Sequence, residues 1–220
     1  MKITGVIFDM DGVLVDSEPI YFELNQALFR HFGFEVTAEE YNSFVGYSSR
    51  TIWAYLSKSR GKTLNMEEVM NHEADKTRKM FSEANLEPMP GLTNLLEILT
   101  GKRIPLSIAS SSAPKTIELV TRKIGVQNYF NHLVSGQQVK NGKPAPDIFL
   151  YAAKLLGLKP ESCMVIEDSR NGARAAKSAG MVCIGYQNPN SGNQDLSICD
   201  TIIDRFDSDG INSILRYLTI

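Results

Sequence analysis

The chain has 220 residues, 43% of them hydrophobic and 22% charged, a composition that fits a globular protein with one good-sized core domain and a smaller one. Its 23 basic and 25 acidic residues nearly cancel, so no field draws it to nucleic acid or an anionic membrane. No apolar stretch reaches the length of a span, and the N-terminal run Gly5-Val6-Ile7-Phe8 stops at Asp9 before it could serve as a signal peptide.

The first element is a short buried strand over Val6-Ile7-Phe8 that ends in Asp9-Met10-Asp11-Gly12. An unpaired carboxylate inside a protein costs several kcal/mol or more. Two readings compensate it: an Asx-rich turn continuing through Gly12, or carboxylates gathered around a divalent cation. Residues 17–87 then read as helices only. Tyr21, Leu24, Leu28 and Phe32 fall at helical spacing behind Pro19. Thr37-Ala38-Glu39-Glu40 has the capping-box pattern and leads into Tyr41, Phe44 and Val45. A third helix starts near Ser48 or Ser49 and carries Ile52, Tyr55 and Leu56 inward. A fourth opens at Asn65 and runs through Val69, Met70, Thr77, Met80 and Phe81, with Trp53 and the methionines as core of this block. Pro88-Met89-Pro90-Gly91 marks the return hinge.

The second half alternates regularly. A helix over Leu92–Leu99 precedes a strand at 104–109, and Pro114 opens a helix through Ile124. A weaker strand lies at 132–134, followed by a helix from Asp147 to Leu156 and a strand at 163–166. A helix from Asn171 to Ala179 leads to a strand at 181–185, a short strand at Ile202-Ile203 and a closing helix with Ile211, Ile214, Leu215 and Leu218. Near-continuous apolar strands alternating with helices predict an α/β fold, a doubly wound parallel sheet covered on both faces. The helical block is expected as a small all-helical cap domain at 17–87, inserted into a core of 1–16 and 88–220, over the strand ends. Cys163, Cys183 and Cys199 have no metal-ligand spacing, and two sit inside strand candidates. Reduced core thiols in a cytoplasmic protein are expected.

In such sheets ligands sit at the carboxyl ends of the strands, where the polar residues of this chain fall. Asp9 and Asp11 follow the first strand, Ser110 and Ser111 the second, and Glu167 and Asp168 the fourth. Lys143 lies in Asn141-Gly142-Lys143-Pro144-Ala145-Pro146-Asp147, stiffened by two prolines. Carboxylates, a hydroxyl at a helix N-terminus and one held ammonium make a site for phosphate and Mg2+. With no histidine placed there, a carboxylate would be the nucleophile. Ser111 and Ser112 have a second reading, as caps of the helix at Pro114. His31, His72 and His132 read as surface or structural residues.

Taken in order, Asp9-Met10-Asp11-Gly12, Ser110, Lys143 and Glu167-Asp168 resemble the four motifs of the haloacid dehalogenase superfamily, and the helical insert is similar to its small cap. The stretches Phe8–Glu18, Gly142–Asp147 and Glu167–Ser169 look most like the branch of beta-phosphoglucomutase and the sugar-phosphate phosphatases. The resemblance implies that Asp9 attacks phosphorus and binds Mg2+. It implies that Asp11 is the general acid and base, with its carbonyl on the metal. Ser110 and Lys143 would hold the phosphoryl group, with Ser111 a further candidate beside them, and Asp168 would complete the metal site with Glu167 as a direct or water-mediated ligand. In the cap, Gly46-Tyr47-Ser48-Ser49-Arg50 looks like the loop whose arginine grips the far end of a phosphorylated sugar; a surface arginine is the alternative. Lys76 and Arg78 are weaker candidates, and Asp16 a cap-hinge residue. Where beta-phosphoglucomutase has a histidine in the first cap helix, this chain has Ile20-Tyr21. The expected activity is therefore hydrolysis of small phosphorylated metabolites, sugar phosphates foremost, by a monomer. A phosphomutase is the alternative, and a phospho-acceptor signalling or binding protein a remote one.

Overall fold

The computed structural model describes residues 3–44 and 47–218. Val45 and Gly46, read above as an inward residue and the start of the arginine loop, lie outside them. The chain divides into two compact units, Met1–Ser17 with Asn85–Ile220, and Glu18–Ala84.

The larger unit is built on parallel strands β1 (Gly5–Phe8), β2 (Leu106–Ser110), β3 (His132–Ser135), β4 (Cys163–Glu167), β5 (Val182–Tyr186) and β6 (Thr201–Ile203). They form one six-stranded sheet in the order β3-β2-β1-β4-β5-β6. Every pairing is parallel, with Phe8 opposite both Ile108 and Ile166. Alternation sends side chains to opposite faces. Ile7, Ala109, Val134, Val165 and Cys183 pack on one face with Ile148, Phe149, Ala152 and Ala153 of α7 (Asp147–Leu155) and Ala173, Ala175 and Ala176 of α8 (Arg170–Ser178). Val6, Phe8, Leu106, Ile108, Met164, Ile166 and Ile184 alternate with them and are equally buried. Because both faces are covered, neither face needs polar residues, which is why these strands read as unbroken apolar runs.

The chain leaves and re-enters this unit along two adjacent segments. Val15 bridges Pro88 in antiparallel fashion, and Met89 N donates to Leu14 O at 2.8 Å. The return ends at Gly91, with φ 81°, where an added Cβ would stand 2.0 Å from the carbonyl oxygen of Phe206. Only glycine fits that turn and that approach.

The smaller unit holds α1 (Glu18–His31), α2 (Ala38–Asn42), α3 (Ser49–Ser59) and α4 (Met66–Glu83). Thr37, Ser48 and Asn65 cap α2, α3 and α4 by accepting from Glu40 N, Thr51 N, and Glu67 N and Glu68 N. Trp53 sits among Phe29, Phe32 and Phe34, ring to ring in edge-on contacts of 5.2 to 6.0 Å, with Leu24, Leu28, Leu56 and Val69 around them. Tyr55 does not point inward as expected; it is 51% exposed. The buried stripe of α3 is Ile52, Trp53 and Leu56, and centring it on the large indole turns Tyr55 to its edge.

Cys163, Cys183 and Cys199 are all free thiols, with the sulfurs of Cys183 and Cys199 3.5 Å apart. Among the described residues no helix is long and apolar enough to cross a membrane. Trp53→Ala should cost about 3–5 kcal/mol of stability, since it empties the centre of the helical core. Urea unfolding followed by circular dichroism measures this.

Candidate active site

Strand order reverses at β1. Strands β2 and β3 extend the sheet to one side, and β4 to β6 to the other. The connections leaving the carboxyl ends of β1 and β4 therefore diverge and leave a crevice between them. Asp9 stands at that point, its N–H still donating to Ile166 O at 2.9 Å, and Glu167 is the last residue of β4. Oxygens of Asp9, Glu167 and Asp168, all three residues buried, lie within 4.8 Å of one another.

Lys143 enters this cluster from the loop before α7. Its Nζ donates to Asp9 Oδ1 at 2.6 Å and to Glu167 Oε1 at 2.5 Å, and lies 5.0 Å from the centre of the Phe149 ring. The loop is clamped where α7 begins, because Asp147 Oδ1 accepts from both the backbone N–H and the side chain of Asn141. The Lys143–Pro144 peptide is cis. The prolines are thus only part of what holds the lysine. Burial alone would lower its pKa, but the charges of Asp9 and Glu167 outweigh burial and raise it, so Lys143 stays charged.

The carboxylates carry the opposite burden. Burial, reinforced by the charges of Glu167 and Asp11, pushes Asp9 up to about 8 although Lys143 pulls it down. Burial also raises Asp11, against the hydrogen bonds it accepts. Those bonds come from Ser17 Oγ at 2.8 Å on Oδ1, and from Ser112 Oγ at 2.9 Å and Ser110 Oγ at 3.3 Å on Oδ2.

The residues singled out in the sequence are therefore brought together in large part. Asp9, Lys143, Glu167 and Asp168 form one cluster, and Asp11 joins Ser110 beside it. Ser110 is fully buried and also accepts from Ser112 N at 3.0 Å. Ser111 is exposed. Neither Ser111 nor Ser112 caps the helix at Pro114. The N-cap of α6 (Pro114–Lys123) is Ala113, without a side-chain cap bond, because Ser112 turns its hydroxyl to Asp11. Arg50 belongs to the helical unit, exposed in the first turn of α3.

Other participants escaped the sequence reading. Ser17 and Ser112 hold Asp11, and Ser169 donates to Glu167 Oε2 through both N (2.7 Å) and Oγ (2.9 Å) while capping α8. Asn188 Nδ2 donates to Gly12 O at 3.2 Å, and Ser191 Oγ donates to Asp168 Oδ2. Two glycines make room. A Cβ on Gly172 would stand 1.6 Å from Glu167 Oε1, and one on Gly12, where φ is 78°, 2.0 Å from Asp168 Oδ2. Ser17 and Ser169 sit beside recognised acids and could have been suspected; Asn188 and Ser191 lie in a loop with no such signal.

The sequence profile of the haloacid dehalogenase-like hydrolases matches residues 6–186. A phosphorylated carbohydrates phosphatase of Thermotoga maritima is 36% identical over 177 residues, covering 80% of this chain and 82% of its own. The fructose-1-phosphate phosphatase YqaB of Escherichia coli is 29% identical over 180 residues, covering 82% and 94%. Among solved structures, CbbY of Rhodobacter sphaeroides, crystallised with phosphate, superposes with a TM-score of 0.82 at 23% identity, covering 96% of this chain and 99% of its own. The chain belongs to the haloacid dehalogenase-like hydrolase family. Within it, the chain is a phosphatase.

Gly172→Ala separates close approach from helix propensity. Alanine favours a helix interior by up to ~1 kcal/mol over glycine, but here its methyl would displace Glu167. Phosphate release should fall at least about tenfold, as for loss of a group that supports a metal site. A phosphatase assay run beside a melting curve checks this.

Proposed function

We propose that the protein is a Mg2+-dependent phosphatase of small phosphorylated metabolites, sugar phosphates foremost, acting through a phosphorylated Asp9. The observation that carries this reading is the buried Asp9 carboxylate, held by Lys143 and two residues from an Asp11 carboxyl of raised pKa.

The donor set suits a hard divalent cation. Asp9, Glu167 and Asp168 offer oxygens alone, close together and buried, and Lys143 pairs with only two of them, Asp9 and Glu167. Asp9, Glu167, Asp168 and the Asp11 carbonyl would hold Mg2+, which when bound neutralises charge on the phosphoryl oxygens.

The chain's own groups then divide the work. An Asp9 carboxylate oxygen attacks phosphorus and the bond from phosphorus to the ester oxygen breaks. Asp11, whose pKa burial raises, gives its proton to the leaving oxygen. Asp11, now a carboxylate, takes a proton from the water that attacks the phosphoaspartate. The bond between Asp9 and phosphorus breaks and inorganic phosphate leaves. Lys143, held charged, and the hydroxyls of Ser110 and Ser111 stabilise the transferring group, where positioning and charge do most of the catalysis.

Hydrolysis is favoured over mutation of the phosphate position by Tyr21. It lies near the place where the mutase pattern has histidine, and its ring packs edge-on against Phe81 with centroids 5.3 Å apart. The names of the relatives, a carbohydrate-phosphate and a fructose-1-phosphate phosphatase, support sugar phosphates. In this reading Arg50 grips the distal end of the substrate with its two-pronged guanidinium, and the enzyme works as a monomer in the cytoplasm.

The test offers hexose 1- and 6-phosphates, pentose phosphates and glycerol phosphate with Mg2+. Free phosphate and conversion of beta-glucose 1-phosphate to glucose 6-phosphate are both followed. Phosphate release is expected, abolished by Asp9→Asn or by chelation. Asp11→Ala should lower kcat about 10²–10⁴-fold with an unchanged circular dichroism spectrum. Isomer conversion with little free phosphate would replace this reading by a phosphomutase.

A further inference from the structure

The connection from β5 to β6 carries a short turn, Pro189–Ser191, which with its N-cap Asn188 makes three contacts to the segments after β1 and β4. Asn188 Nδ2 donates to the carbonyl oxygen of Gly12, Asn190 Nδ2 donates to Asp16 Oδ2 at 2.6 Å, and Ser191 Oγ donates to Asp168 Oδ2. The first two contacts fall on the loop that follows Asp9 and Asp11, and the third on the carboxylate contributed after β4. Asn188 and Ser191 are 4% and 3% exposed, so their two contacts are interior to the core unit, whereas the contact of Asn190 lies at its surface.

The turn is itself held in shape. Asn188 Oδ1 accepts from Asn190 N at 2.9 Å, and Ser191 N donates to Asn188 O at 3.2 Å. Gln194 Nε2 donates to Ser191 O at 3.0 Å, while Gln194 Oε1 accepts from Arg170 N at the start of α8. Gly12 closes the arrangement. A Cβ there would stand 2.0 Å from Asp168 Oδ2 and 2.9 Å from Ser191 Oγ, so any side chain at this position would take the space that the carboxylate and the hydroxyl share.

We propose that Ser191 is a positioning residue for the metal-binding carboxylate of Asp168, its hydroxyl setting the direction in which that carboxylate meets the cation. A carboxylate can rotate about its last side-chain torsion, and a donor fixed on one oxygen stops that rotation. It thereby fixes where the group's remaining acceptor capacity is directed. Supporting hydrogen bonds of this kind change metal affinity or activity by about 10–100-fold when removed. Asn188 and Asn190 anchor the turn that carries the hydroxyl and are not assigned this role. The inference rests on the Mg2+ reading of the site.

The experiment measures Mg2+ binding directly, by calorimetric titration of the metal-free protein, with Mg2+ dependence of phosphate release as a second readout. Ser191→Ala should weaken Mg2+ binding by about 10–100-fold and raise the Mg2+ needed for half-maximal rate in parallel, while the rate at saturating Mg2+ recovers most of the wild-type value. Ser191→Thr, which keeps the hydroxyl, should restore affinity. Asn190→Ala removes the contact with Asp16 from the same turn and should leave Mg2+ affinity within about twofold. If Ser191→Ala does not fold, Ser191→Cys is read in its place; a thiol is a weak donor, and its Mg2+ affinity should fall also. Wild-type affinity in the folded Ser191→Ala or Ser191→Cys protein overturns the inference. Equal loss in Ser191→Ala and Asn190→Ala also overturns it, because the turn as a whole would then be responsible. Absence of Mg2+ binding to the wild type would overturn both the metal reading and this inference, whereas wild-type binding that Ser191→Ala leaves unchanged removes only the latter.

Discussion

The structure depends on keeping four carboxylates, Asp9, Asp11, Glu167 and Asp168, close together at the carboxyl ends of β1 and β4. Burial raises the pKa of Asp9 and of Asp11, and at Asp9 the charges of Glu167 and Asp11 add to it. Lys143 relieves Asp9 and Glu167, three serine hydroxyls hold Asp11, Ser169 holds Glu167 and Ser191 holds Asp168. Lys143 is shared by two acids, whereas each hydroxyl serves one, so the acids are differentiated by their partners. Asp9 meets an ammonium and Asp11 meets neutral donors.

This arrangement explains why so much of the site lies in connections. The sheet brings the ends of β1 and β4 side by side, but the lysine comes from the loop before α7 and the supporting hydroxyls from the segments after β1, β2, β4 and β5. Rigid strands fix the origins of these segments, and local bonds fix their ends: Asn141 to Asp147 around Lys143, Asn188 to Asn190 near Ser191. Gly12 and Gly172 serve the same end by omission, since any side chain there would take the space of Asp168 or Glu167. The core unit thus supplies every residue assigned to phosphoryl transfer. The helical unit has its own aromatic core around Trp53 and carries the residue assigned to substrate choice, Arg50.

Much of this was legible in the sequence because its signals are local. Apolar runs four or five residues long, ended by acids or serines, are what a doubly covered parallel sheet requires, and they located β1, β2, β4 and β5 to within a residue or two. Helix caps at Thr37, Ser48 and Asn65 followed from the preferences of their own first turns. Asp9, Asp11, Lys143, Glu167 and Asp168 stood out because charge at the end of a buried strand, or between prolines, needs a reason. Two local readings failed where tertiary contacts won: Trp53 displaced Tyr55 from the buried stripe of α3, and Asp11 drew Ser112 away from the cap of α6.

Residue chemistry and periodicity thus determined, from the sequence by itself, the class of fold, and pointed to the helices of residues 18–84 and to the acids and lysine that meet at the strand ends. Which hydroxyl serves which carboxylate, and that the β5–β6 turn reaches Gly12, Asp16 and Asp168 at all, was decided only in three dimensions. Those partners are separated by 23 to 176 positions in the chain. No local preference encodes such a distance, and strand order, which brings the ends together, is set by the packing of the whole sheet.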